Sequence, residues 1–129
     1  MASRPQEGLT EREGEIMNVL WQQEEATVEG IRHRLEADLV PTTIRTLLRI
    51  MVRKGYVVSR MEGKAKVFRP LVARETAQTS ALETLRKRLF EGSTRKLMLR
   101  LMEDEDISIV ELERLRREAQ GGETKGDGR

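Results

Sequence analysis

The chain of 129 residues contains no cysteine, one tryptophan, one tyrosine and two phenylalanines. Without cysteine there is no disulfide, no thiolate metal site and no thiol redox switch. No apolar run approaches the roughly 20 residues that a membrane-spanning helix needs, and the opening MASRPQEG lacks the apolar stretch of a signal peptide. We therefore expect a cytoplasmic protein without direct membrane contact.

Side chains that carry out chemistry are also scarce. The single histidine, His33, lies on the polar side of a predicted helix, and no nucleophile stands in an evident triad context. The acidic run at residues 103–106 lacks the alternating ligands and the loop glycine of a calcium site. The sequence thus predicts no enzyme, no metal and no cofactor, a surface position for His33, and a core position for Trp21.

Positive charge is concentrated in one part of the chain. Residues 40–70 contain eight cations and one anion, Glu62, which gives this segment a net charge of +7 in a protein whose net charge is +2. A local basic patch on a nearly neutral protein is typical of a phosphate-binding face. Binding through such a face should weaken strongly with salt.

The segment from Pro41 to Gly55 is predicted to be the recognition helix of a DNA-binding domain. It starts with a proline, which suits the first helical turn. It ends with a cation, Lys54, followed by Gly55, a residue type that commonly terminates a helix. Its apolar residues recur with the period of one buried helix face: Ile44, Leu47, Leu48, Met51 and Val52. The opposite face holds hydroxyls and guanidiniums, which can bond bases or phosphates, and no carboxylate: Thr42, Arg45, Thr46, Arg49 and Arg53. The alternative, an ordinary solvated face, would be expected to mix glutamate with the arginines.

Two shorter helices precede this helix. Thr10 and Glu13 have the spacing of a capping box that opens the first helix. Ala26 to Val28 offer one short β-bridge, and Thr27 is a candidate N-cap for the second helix. A short second helix, a turn and a recognition helix together predict a helix-turn-helix.

A β-hairpin is predicted directly after the recognition helix. Residues 56–61 and 65–69 are rich in strand-forming residues and are separated by turn residues around Gly63. Three cations of this hairpin are expected to contact the DNA backbone or the minor groove, as the wing of a winged helix does: Arg60, Lys64 and Lys66. The alternative is a hairpin that only solubilises the domain.

From Ala73 onwards the pattern predicts three short amphipathic helices, the later two opened by Ser93 and Ser108. With few aromatics they have little core of their own, so their apolar faces are expected to pack against a second copy of the chain. The predicted dimer interface consists of Leu82, Leu85, Leu89, Leu97, Leu101, Leu112 and Leu115. The alternative is that these helices fold back onto the N-terminal domain of a monomer.

The predicted fold class is mainly α with a small β-hairpin: a winged helix-turn-helix N-terminal domain followed by a C-terminal three-helix dimerisation domain. The expected boundaries are a flexible leader at 1–8, the winged helix at 9–72, the dimerisation domain at 73–119 and a disordered tail at 120–129.

Three segments, LTEREGEIMNVLW, PTTIRTLLRIMVRKGYV and EGKAKVFRPLV, resemble the BlaI/MecI penicillinase-repressor family, and the resemblance covers residues 9–117. It implies a winged-helix dimer that represses transcription, in antibiotic resistance, by binding palindromic operators that overlap promoters. It also implies recognition-helix contacts at Thr42, Thr43, Arg45 and Thr46, and wing contacts at Lys64 and Lys66.

The resemblance further implies a partner, a membrane sensor-transducer with a metalloprotease domain that responds to β-lactams and leads to cleavage of the repressor in its dimerisation region. Two positions depart from the family's best-known members. Val40 stands where they have a serine N-cap, which is worth on the order of 1 kcal/mol. Arg100 and Leu101 stand at the Asn-Phe bond that is cut in those members, so the cleavage specificity is expected to differ. A winged-helix module that binds proteins, with only non-specific DNA affinity, remains the alternative function.

Overall fold

A computed structural model describes residues 7–128 of the chain, with the backbone alone for residues 122–128. Along the chain it contains α1 (Glu11–Gln23), α2 (Val28–Arg34), α3 (Pro41–Lys54), β1 (Val57–Glu62), β2 (Ala65–Pro70), α4 (Arg74–Leu89), α5 (Thr94–Glu105) and α6 (Ile109–Gly128). The predicted mainly helical fold with a winged helix-turn-helix is confirmed.

The chain divides into two compact units, Met1–Glu83 and Thr84–Arg129. The division lies within α4, between Glu83 and Thr84, whereas the sequence predicts a boundary between residues 72 and 73. The start of α4 belongs to the first unit because Ala77 packs against that unit's core and the guanidinium of Arg74 lies 5.4 Å from the centroid of the Trp21 ring.

Polar side chains open the first two helices, as predicted. Thr10 Oγ1 accepts a hydrogen bond from the Glu13 N–H (3.2 Å) while Glu13 Oε1 accepts one from the Thr10 N–H (2.8 Å), which completes a capping box. Thr27 Oγ1 accepts from the Gly30 N–H at 3.1 Å at the start of α2. Val40 precedes α3 and makes no such bond.

Helix α3 ends in a left-handed glycine. Gly55 has φ 91°, its N–H bonds to Val52 O at 3.0 Å, and the Tyr56 N–H bonds to Met51 O at 2.9 Å. This pair of bonds is a Schellman motif, which satisfies the last carbonyls of the helix. It also turns the chain sharply from α3 into β1.

The core of the first unit is formed where α1, α2 and α3 meet the base of the hairpin. Its buried residues are Ile16, Met17, Val19, Leu20, Ile31, Ile44, Leu48, Met51, Tyr56, Val57, Phe68 and Val72. The hairpin strands are antiparallel, and Gly63 at their turn has φ 64°. Ala26 extends the sheet through a bridge to Phe68, as predicted, with N–O distances of 2.9 and 2.8 Å.

The predicted inward face of α3 is wrong at one position. Ile44, Leu48 and Met51 are fully buried, but the side chain of Val52 is 41% exposed. At 3.6 residues per turn Val52 lies about 80° around the helix from Ile44. It is therefore at the edge of the buried stripe, on the side of the hairpin.

The second unit has little core of its own within the described residues. Ser93 caps α5 by accepting from the Lys96 N–H at 3.0 Å, and Ser108 Oγ accepts from the Glu111 N–H at 3.1 Å. Leu97, which the sequence places in the dimer interface, is buried within the chain, with 8% exposure, and offers little surface to a second copy. Of the predicted interface residues, Leu82 in the first unit and Leu85, Leu89, Leu101 and Leu115 in the second are exposed, and Leu112 is half-buried.

The two chain ends also differ from the prediction. The backbone of α6 is helical to Gly128, past Gln120 where a disordered tail was predicted. A helix that is already nucleated extends by one hydrogen bond per residue, which is less costly than starting one. Of the predicted flexible leader, residues 1–6 lie outside the described residues. No helix in the described part of the chain is both long and apolar enough to cross a membrane.

Candidate nucleic-acid interface

The face of α3 that points away from the core carries five of the predicted contact residues. All five are exposed: Thr42, Thr43, Arg45, Thr46 and Arg49. Burial of Ile44 and Leu48 on the other side of α3 fixes which side chains face outward. Thr46 Oγ1 donates to Thr42 O at 3.1 Å, which leaves its methyl group and an oxygen lone pair for an outside contact.

A cleft of about 390 Å³ lies between α3 and the hairpin. Arg45 and Arg49 line it from the helix and Lys66 from β2, over apolar side chains that include Val52 and Phe68. The three cations form no ion pair with any residue that the structure describes, so their positive charge is not compensated within the chain. The fold thus brings together cations that sequence reasoning had placed on two separate elements.

The tip of the hairpin carries another predicted cation. Lys64 follows Gly63 in the turn between β1 and β2 and is exposed. It is not among the residues that line the cleft, so it belongs to the wing tip.

Two predicted contact residues are engaged with carboxylates. Arg53 Nη1 lies 3.4 Å from Glu7 Oε1. Arg60 donates to both oxygens of Glu25, at 2.8 and 3.1 Å, and to Glu62 at 3.3 Å. The bonds to Glu25 and Glu62 raise the pKa of Arg60, and the guanidinium in turn lowers the pKa of the Glu25 carboxyl.

A buried ion pair holds the C-terminal end of α3 to the start of α1. Lys54 Nζ lies 2.8 Å from Glu13 Oε1, and the two side chains are only 9% and 2% exposed. Burial by itself would raise the pKa of Glu13, but hydrogen bonds from Lys54 and Thr10 and the charge of Lys54 together lower it. The sequence assigned Glu13 to a cap and Lys54 to a helix end. No local pattern indicated that residues 41 positions apart would meet.

The segment just before α1 is bonded to the same end of α3. Lys54 Nζ donates to Gly8 O at 3.0 Å, and Tyr56 Oη donates to Glu7 O at 2.7 Å. Burial raises the pKa of the Tyr56 phenol. Glu7 and Gly8, the last residues of the predicted leader, are thus hydrogen-bonded to the first unit.

No metal site is found among the described residues: no group of three His, Cys, Asp or Glu side chains is placed to hold an ion. His33 is exposed on α2, and its Nε2 lies 3.6 Å from Glu29 Oε1. Trp21 packs against the core and donates from Nε1 to Val72 O at 2.9 Å.

A short helix, a turn, an exposed cationic helix and an adjacent hairpin define a winged helix-turn-helix protein. A family model described as "Penicillinase repressor" matches residues 9–120, and the chain belongs to this family. The resemblance to BlaI/MecI proteins is thereby confirmed. The family is named for repression and not for catalysis, which agrees with the prediction that the chain is not an enzyme.

Individual relatives are similar over most of their length. The methicillin resistance regulatory protein MecI of Staphylococcus aureus is 27% identical over 110 residues, which cover 84% of this chain and 89% of that protein. The penicillinase repressor of Bacillus licheniformis is 22% identical over 109 residues, covering 83% and 85%. The solution structure of the DNA binding domain of the repressor BlaI has a TM-score of 0.50 and 26% identity, and the match covers 59% of this chain and 93% of that one.

Proposed function

We propose that this chain is a cytoplasmic transcriptional repressor that binds double-stranded operator DNA through α3 and the hairpin. The observation that supports this most directly is the cleft in which Arg45, Arg49 and Lys66 converge without a carboxylate partner among the described residues. Cations that lie side by side on a helix and a wing, with no carboxylate partner among the described residues, can contact the groove and the phosphates of one duplex. Family membership supports the same function.

The residues divide into two roles in this proposal. The first turns of α3 enter the major groove, where arginine bonds guanine O6 and N7 and threonine contacts the thymine methyl: Thr42, Thr43, Arg45 and Thr46. The exposed cations later in α3 and on the wing contact the DNA phosphates, and these contacts fix the position of the protein on the duplex. They are Arg49, Arg53, Lys64 and Lys66.

The second unit is proposed to form a homodimer. Several large apolar side chains of this unit are exposed, and a groove of about 420 Å³ is lined by Met98, Leu101, Met102, Ile107, Leu112, Leu115 and Arg116. An apolar groove bordered by exposed leucine and methionine side chains is a candidate protein–protein contact. A two-fold dimer buries it and gives two recognition helices, which fit a palindromic operator overlapping a promoter.

We further propose that cleavage of the bond between Arg100 and Leu101 relieves repression. A membrane sensor-transducer is the partner that initiates this cleavage, and a β-lactam is the signal. Both side chains are exposed, but the bond lies in the middle of the helix α5. A protease needs an extended segment, so cleavage requires α5 to unfold locally.

Footprinting on the DNA upstream of the gene tests the proposal. We expect one protected region with two-fold symmetric half-sites, spaced by whole turns of the duplex. The same experiment with Arg45→Ala should lose the footprint at protein concentrations at which the wild type gives full protection. Uniform weak protection along the whole fragment would contradict sequence-specific repression.

A further inference from the structure

The hairpin presents its cations on two different faces. Arg60 pairs across the sheet with Val67, whereas Lys66 pairs with Met61. Because neighbouring residues of a strand point to opposite faces, Arg60 and Lys66 lie on opposite sides of the hairpin. Lys66 shares its face with Phe68, which also lines the cleft beside α3. Arg60 is therefore on the face that points away from this cleft.

The turn between α1 and α2 holds Arg60 in that position. Glu25 in this turn takes two hydrogen bonds from the guanidinium, at 2.8 and 3.1 Å. The next residue, Ala26, exchanges two main-chain hydrogen bonds with Phe68 on the other strand. The same turn thus contacts β1 through a side chain and β2 through the backbone, which anchors the middle of the hairpin.

The charge of Arg60 is already compensated. Glu25 and Glu62 both bond to it, whereas Arg45 and Lys66 form no ion pair with the described residues. A phosphate would have to displace a bidentate carboxylate, which is among the stronger side-chain interactions of arginine. From sequence, Arg60 is expected to contact DNA as Lys64 and Lys66 do, because the chain order does not show that Glu25 lies beside it.

We propose that Arg60 is a positioning residue and not a DNA contact: its pair with Glu25 holds the wing so that Lys66 faces the duplex beside α3. This inference rests on the proposed function. It predicts that Glu25 favours DNA binding although its carboxylate carries the same sign of charge as the phosphates.

The positioning role is tested by whether Glu25→Gln weakens or strengthens DNA binding. Glu25→Gln removes a negative charge, which by charge alone strengthens DNA binding. If Glu25 instead positions the wing through Arg60, Glu25→Gln weakens binding to the upstream duplex several-fold, and so does Arg60→Gln. Glu24→Gln is the control, since it makes the same charge change one residue away, at an exposed side chain that forms no ion pair with described residues. Binding by Glu25→Gln as tight as by Glu24→Gln, or tighter, would overturn the inference.

Two further measurements separate positioning from direct contact. The double variant Glu25→Arg with Arg60→Glu, made together with Glu62→Gln so that no second carboxylate repels the one at position 60, restores the pair in reverse. Compared with Glu62→Gln alone it should keep most of the affinity, and a large loss would indicate that Arg60 itself touches DNA. In the free protein, hydrogen exchange of the β1 and β2 amides should be faster in Glu25→Gln and Arg60→Gln than in Glu24→Gln. The hydrogen-exchange measurement needs no DNA, so it tests the positioning role of Arg60 independently of the proposed function. A wild-type protein that does not prefer its upstream DNA would refute the proposed function and not this inference. Unchanged exchange would refute the positioning role.

Discussion

At the scale of single residues, the buried pair of Glu13 and Lys54 has the largest expected effect on stability. Glu13→Gln leaves the ammonium of Lys54 buried without a countercharge, and breaking such a pair costs about 3 kcal/mol. Urea unfolding at neutral pH measures this loss. The control is Glu15→Gln on the same helix, whose pair with Arg12 is exposed and is worth less than about 1 kcal/mol. Equal losses for the two variants would contradict the role of the buried pair.

The same pair makes stability depend on pH. Because the pKa of Glu13 is lowered in the folded state, its contribution is fully present above the unfolded-state pKa of about 4.3. It is lost as the pH falls through the folded-state value. The difference in unfolding free energy between wild type and Glu13→Gln should therefore shrink as the pH is lowered below about 4. A difference that stays constant from neutral pH into this acid range would show that Glu13 does not titrate as described.

Arg45 is the residue expected to read a base. Arg45→Ala should cost about 1–3 kcal/mol of binding free energy on the specific site and relax the preference at one base pair. Competition binding against duplexes altered at single positions measures both. Arg95→Ala, an exposed arginine of the second unit, controls for the change in charge. Equal losses on specific and random DNA would leave Arg45 as a phosphate contact only.

At the scale of elements, the start of α3 lacks a side-chain cap, so a substitution there can stabilise the helix. Val40 has the extended backbone of an N-cap, φ −76° and ψ 153°, but no side-chain bond to the first turn. Val40→Ser should raise the unfolding free energy by about 1 kcal/mol, because a hydroxyl can accept from an unpaired N–H. Val40→Ala removes the same bulk without adding the bond and should not stabilise. If both variants have the same urea midpoint, the missing cap is not what limits α3.

Local signals explain why most elements of the fold were predictable. The capping box of Thr10 and Glu13, the glycine at the end of α3 and the turn at Gly63 each lie within a few residues of what they control. The exposed face of α3 follows from its helical period in the same way. These signals fix where helices and strands begin and end.

Contacts between distant residues were not predictable. The pairs Glu13–Lys54 and Glu25–Arg60 join residues 41 and 35 positions apart, and no period or motif relates them. The exposure of Val52 depends on where the hairpin lies beside α3. For the same reason the sequence does not distinguish Arg60, which pairs with Glu25, from Lys66, which forms no ion pair with the described residues.

At the scale of the whole molecule, the proposed dimer is the first property to test. Leu115 is 46% exposed, so Leu115→Asp should leave the fold of the chain intact but disrupt a dimer that buries this side chain. Sedimentation should then show half the wild-type mass. Leu71→Asp is the control, because Leu71 is 45% exposed but lies in the first unit. An unchanged mass for Leu115→Asp would exclude this residue from the interface.

The most direct measurement is the affinity of the purified protein for its own upstream DNA, compared with random duplex of equal length, across a series of salt concentrations. Each phosphate neutralised by a cation contributes about −0.9 to the slope of log affinity against log salt. The account predicts a steep slope and tighter binding to the upstream DNA at every salt concentration. Equal and weak binding to both duplexes would contradict it and would favour a winged-helix module that binds protein partners.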